Sequence, residues 1–153
     1  MLQNNKIGAQ GALDLCYGLA CCYKLQSLDL NFSFNQIDLQ WKKDLFSALT
    51  DFTFVSNLTL DFSNNQIDPQ GVINLGRSLV KCVNLQGLNL LINANKIGEQ
   101  GAQGLISALL NCSKLSKLQL DLRFNEFDGA SIATNIRRKL IKLKRLVIKI
   151  ILL

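Results

Sequence analysis

The chain has 153 residues, 48% of them hydrophobic and 18% charged, which is a globular composition and one ordinary domain by length. It contains no histidine, so the commonest general base and the commonest zinc ligand are both missing. The formal net charge is +6, but seven cations and no acid fall between Arg137 and Lys149; the other ten cations face eleven acids, so residues 1–136 carry a net −1. The basicity is therefore local, unlike the extended field that a nucleic-acid groove needs.

Hydrophobic spacing predicts five helix–strand pairs in chain order. A helix over 9–22 carries Ala12, Leu15 and Leu19 on one stripe, and a strand over 27–32 alternates Leu28, Leu30 and Phe32 with polar residues. Helices follow at 39–52, 69–82, 99–112 and 129–142, with strands at 57–62, 87–92, 117–122 and 147–151. These pairs repeat every thirty residues. Asn5, Asn35, Asn65, Asn95 and Asn125 form one column; Leu30, Leu60, Leu90 and Leu120 form another. No single unit can bury its own stripe, so the units are expected to stack into one continuous core.

Several columns invite a functional reading and have a structural one. The Asn column (Asn35, Asn65, Asn95, Asn125) offers both donors and acceptors where each strand turns away, and we expect it to bind backbone groups there. Gly11, Gly71 and Gly101 stand at helix starts, where they suit close packing of neighbouring units; no phosphate-binding glycine motif is present. Five cysteines without a CxxC pair suggest free thiols; Cys22, Cys82 and Cys112 share a column with Phe52, which predicts buried, unreactive sulfur and no metal site. The polar opening MLQNNK is not a secretory signal, so an intracellular, cytoplasmic protein is expected.

The pattern LxxLxLxLxxNxI, read from Leu25 through Leu28, Leu30, Phe32 and Asn35 to Ile37, resembles the leucine-rich repeat. The stretch Gly71, Leu75, Leu79, Cys82 resembles its ribonuclease-inhibitor-like subfamily. The strand carries two more residues than that family's usual LxxLxLxxN, and this thirty-residue variant resembles repeat arrays of ciliated protozoa, some of which adjoin a protein kinase. The resemblance implies an α/β horseshoe solenoid, with a parallel sheet on the concave face and helices on the convex face. It also implies a single domain over 1–153 of about five units, here truncated at both ends because neither end carries an evident cap.

The resemblance implies a non-enzymatic protein-interaction scaffold without cofactors. Its partner is expected to be another protein or further repeats of the same array, not nucleic acid or a membrane. Residues alternating with the buried leucines should point to solvent on the concave face. We expect partner contacts from Asp29, Asn31, Thr59, Asp61, Asn89, Leu91, Gln119, Asp121 and Arg123. Trp41 stands in the glycine column, either as a convex contact or within a locally adjusted core. The basic stretch after Arg137 reads as the solvated side of the last helix, with nucleic-acid or membrane binding as its alternative. Two further functions fit the family: a regulatory or recruiting arm of a larger enzyme such as a kinase, and a GTPase-activating contact protein. No residue constellation in the segment supports catalysis itself.

Overall fold

A computed structural model describes residues 2–37, 46–127, 134–136 and 138–139, and the backbone of 147–152. Five parallel strands form one sheet in chain order: β1 Ser27–Asn31, β2 Asn57–Asp61, β3 Gly87–Leu91, β4 Lys117–Asp121 and β5 Val147–Leu152. The thirty-residue repeat becomes the hydrogen-bonding register: Leu28 faces Leu58, Leu58 faces Leu88, and Leu88 faces Leu118. Parallel strands need a crossover between them; α2 Pro69–Lys81 supplies it from β2 to β3 and α3 Gly98–Leu109 from β3 to β4, while α1 Gly8–Ala20 precedes β1.

The sequence explains how these helices begin. Asp68 caps α2, its side chain accepting the N–H of Gly71 at 2.6 Å, and Pro69 follows with φ already set for a helix. In contrast, α1 and α3 open on Gly8 and Gly98 at φ +65° and +56°, a turn that glycine makes without strain. Alternate residues of β1 to β4 face the core, and Leu60, Leu90 and Leu120 are fully buried, as are Leu75, Leu79, Leu105 and Leu109 of the helices. Each such side chain contributes about 1.5–3 kcal/mol by leaving water. The α2–α3 contact is tight. A Cβ on Gly76 would lie 2.9 Å from the Ala108 Cβ, and one on Gly101 only 2.7 Å from Val72 Cγ1. Gly11 differs, because the clash there would be with Ile7 of its own unit.

Several expectations need correction. The helix expected over 39–52 shows only a 3-10 turn, Ala48–Asp51, among its described residues; 38–45, and Trp41 with them, lie outside. Of the expected 129–142 helix, residues 134–136 and 138–139 are described and helical, so most of the basic stretch also lies outside. The buried face of α1 is Ala12, Leu13 and Cys16, while Leu15 and Leu19 are only partly covered. Cys22 is exposed although Cys82 and Cys112 in the same column are buried. Cys82 packs under the preceding unit, its Sγ donating to Leu49 O at 3.1 Å, whereas the Cys22 Sγ meets only Gly18 O of its own helix, at 4.0 Å. The register shifts by one between Leu118 and Gln119 where β4 meets β5, so Gln119 pairs with Ile150.

Candidate functional site

The sheet has one face against the helices and one open face. Parallel register puts the outward residues into rows that cross the strands: Ser27, Asn57, Gly87 and Lys117, then Asp29, Thr59, Asn89 and Gln119, then Asn31, Asp61, Leu91 and Asp121. Ser33, Ser63, Asn93 and Arg123 follow where the chain leaves the strands. All of these were expected to meet solvent. The structure divides them into two groups.

At the strand ends, the polar side chains turn back onto the chain. Asn31 Oδ1 accepts the N–H of Ser33 at 2.9 Å and its hydroxyl at 2.6 Å; Asp61 Oδ1 accepts the N–H of Ser63 at 2.9 Å. Asp121 accepts the N–H of Arg123 at 3.1 Å and also both arms of its guanidinium, at 3.0 and 2.7 Å. Ser63 donates its hydroxyl to Asn93 Oδ1 of the next unit. Asp and Asn favour this local arrangement because their short side chains reach the N–H two residues on. As a result Ser33, Ser63 and Asp121 are buried, at 5%, 6% and 5% exposure, against the expectation that they face solvent. The bidentate bond to Asp121 also raises the Arg123 pKa above its ordinary value. Leu91 is the one apolar member of its row and makes no such turn.

Beneath this edge runs the asparagine ladder. Asn65 Oδ1 accepts the N–H groups of Asn35 and Ile37 at 3.2 and 2.9 Å, and its Nδ2 donates to Phe32 O, Phe62 O and Ser63 O at 3.0, 2.9 and 3.2 Å. Asn95 and Asn125 repeat the pattern one unit further on, and Asn35 accepts the N–H groups of Asn5 and Ile7. Each amide thus joins its own unit to the one before, closing backbone groups that water cannot reach.

At the strand starts the picture reverses. Gly87 leaves a gap in the first row, where a Cβ would come within 2.7 Å of Asn57 Oδ1. The gap opens a depression of about 210 Å³, whose walls include Asn57, Thr59, Asn89, Lys117 and Gln119. Among the described residues, the side chains of Thr59, Lys117 and Gln119 make no hydrogen bond or ion pair. Asn57 donates sideways to Ser56 Oγ at 3.1 Å, leaving its Oδ1 open. Asn89 is the most unusual: its Oδ1 is buried yet has no partner. Such an atom costs on the order of 1–3 kcal/mol, so its presence calls for a reason.

Of the expected contact residues, Thr59, Asn89 and Gln119 therefore gather at one place. Asn31, Asp61, Asp121 and Arg123 are engaged with the chain itself, and Asp29 stands exposed at the β1 edge. Sequence reasoning undervalued Gly87 and Lys117. A glycine in an outward strand position was the available signal, since it marks a place where something else approaches the backbone. A second feature missed was the strand-end ridge: Phe34 and Phe124 are 55% and 77% exposed and hold left-handed φ values of 56° and 59°. Among the described residues no group of three or more His, Cys, Asp or Glu could hold a metal ion, and no helix is long and apolar enough to cross a membrane.

Comparison with known proteins agrees with this architecture. A family model described as Leucine Rich repeat matches residues 56–76, the β2–α2 unit. No curated protein matches the chain significantly in sequence. Seven solved chains match in structure. One is Leiomodin-1 Actin-Binding Site 2, with a TM-score of 0.69 and 17% sequence identity, covering 92% of this chain and 79% of that one. At that identity the likeness concerns the fold. With its thirty-residue register, inner leucines and asparagine ladder, the chain folds as a leucine-rich repeat protein.

Proposed function

We propose that the chain is a protein-interaction scaffold that receives a partner protein on the open face of its sheet, centred on the starts of β2, β3 and β4. The observation that carries this reading is the contrast along the strands. Polar side chains at the strand ends are engaged internally, while Thr59, Lys117 and Gln119 surround a depression with their hydrogen-bonding groups unpaired, and the Asn89 Oδ1 among them is buried without a partner. Unengaged polar groups beside a concavity lose little on desolvation when a partner supplies matching groups. The leucine-rich repeat fold supports a protein partner, and the leiomodin domain of like fold is, by its name, an actin-binding site. Actin is therefore one candidate for direct trial.

The test is a comparison of the wild-type chain with the double variant Thr59→Arg/Gln119→Arg, each immobilised and exposed to cell extract and, separately, to purified actin. The expected result is that a stoichiometric protein partner of the wild type is lost by the variant while its melting temperature stays unchanged. A partner held equally by both overturns the open-face assignment.

A further inference from the structure

The chemistry around Gly87 narrows what can enter. The depression lies over the first two outward rows, with Asn57 and Thr59 on one side and Lys117 and Gln119 on the other. It presents two kinds of need at once. Asn57 Oδ1 is an open acceptor, and Asn89 Oδ1 is buried without a donor. Opposite them, the Lys117 ammonium and the Gln119 amide are donors with no hydrogen-bond partner among the described residues.

A cationic side chain would satisfy the acceptors, but it would sit beside Lys117, and like charges that close are unfavourable. A carboxylate would suit Lys117 but brings no donor, and it would set negative oxygens against those of Asn57 and Asn89. A hydroxyl offers a single proton for the two acceptors. A carboxamide is flat, neutral and two-sided: its NH2 supplies two donors and its oxygen accepts from Lys117 or Gln119.

We propose that this depression is a carboxamide-recognition site, which takes the side chain of a glutamine or asparagine from the partner protein. The proposal rests on the open-face reading above and assigns its central contact. The partner amide donates to Asn57 Oδ1 and to Asn89 Oδ1 once the Asn89 amide turns toward it, and its oxygen lies against Lys117. Asn89 is then a recognition residue whose unpaired state in the free chain is relieved on binding. Gly87 is required because any side chain there fills the space the amide occupies. This fits the absence of left-handed geometry at Gly87, which leaves access as the remaining reason for glycine there.

The experiment uses nitrogen-15-labelled chain and three blocked tripeptides, acetyl-Gly-X-Gly-N-methylamide, with X as Gln, Glu or Lys. Backbone amides are common to all three, so differences report the side chain. The expected result is that the Gln peptide shifts amide signals of residues 57–59, 87–89 and 117–119 and binds at least about tenfold more tightly than the other two. Gly87→Val should weaken that binding by about tenfold or more with no fall in melting temperature. Lys117→Met removes the charge that repels a cation, so it should narrow the preference for the Gln peptide over the Lys peptide. Equal responses to the three peptides, shifts elsewhere on the chain, or unchanged binding by Gly87→Val would overturn the carboxamide assignment. If that happens while Thr59→Arg/Gln119→Arg still loses its partner, the open-face reading stands and only the occupant is wrong; if the double variant also keeps its partner, both fall.

Discussion

The two ends of the strands in this sheet share a register and differ in what their polar side chains do. At the ends, Asn31, Asp61 and Asp121 hold the turn out of each strand, and Asn65, Asn95 and Asn125 tie each unit to the one before. At the starts, Thr59, Asn89, Lys117 and Gln119 hold nothing in place. The difference shows that a polar outward face is two surfaces in physical terms. One stabilises the fold and loses something by meeting a partner. The other contributes little to the fold and is available to one.

The comparison can be broken first at the strand ends, where the largest effects are expected. Phe62 stacks on Phe32 at 5.3 Å between ring centres and meets Phe46 edge-on at 5.6 Å, just past β2. Phe62→Ala should destabilise the chain by about 3–5 kcal/mol, measured by urea unfolding. Alkali acts instead on the helix side of the units, through Cys16 inside α1 and Cys82 at the end of α2. Burial pushes the thiols of Cys16 and Cys82 up to about 12 from 9.0, with Cys112 adding to the effect at Cys82. Above pH 9 the unfolded chain therefore releases these protons while the folded chain keeps them, so stability falls as pH rises from 9 toward 12. By pH 10 the two thiols together should cost about 2–3 kcal/mol, and Cys16→Ala/Cys82→Ala should remove that part of the pH slope.

Next in size is the ladder itself. Asn95→Ala leaves the buried Ile67 N–H without a partner and takes one of two donors from the carbonyls of Phe62 and Ile92, which keep Asn65 and Asn125, and should cost about 1–3 kcal/mol. The same change at Asn5, whose amide reaches only Gln3 O on the surface, should cost less than about 0.5 kcal/mol. Substitutions at the strand starts should have the opposite sign. Gly87→Ala places a side chain in a strand position with ordinary φ, and should raise stability by up to about 1 kcal/mol, provided the Asn57 side chain swings aside. Loss of stability there would remove the distinction between the two ends.

The strand-end ridge offers a last and smallest refinement. Phe124→Asn exchanges an exposed aromatic in left-handed geometry for a residue that tolerates it, and should stabilise by a few tenths of a kcal/mol up to about 1 kcal/mol in thermal unfolding.

How much of this was legible beforehand depends on whether a residue's role is set by its period or by its neighbours. The repeating unit and the inner leucines follow from spacing, and the parallel sheet from the resemblance they carry; within that sheet a thirty-residue period leaves Leu58 only one partner position on each side. The asparagine column was legible for the same reason. The fate of Asp121 and Ser63 was not. They alternate outward like Thr59, and nothing in their spacing tells that their side chains fold back onto the chain. Cys22 and Cys82 show the limit most simply: one column, one residue type, and opposite exposure, with Cys82 bonded to Leu49 O of the neighbouring unit and Cys22 only to its own helix.

The sequence by itself determined the repeating unit and the inner leucines of the strands, since those depend on hydrophobic period, and its likeness to the leucine-rich repeat implied the parallel sheet. Only the tertiary structure decided which polar residues are free. Whether an outward amide is engaged depends on distances of about 3 Å to atoms a whole unit away in the chain, as with Asn65 and the Phe32 carbonyl, or on their absence, as with Asn89.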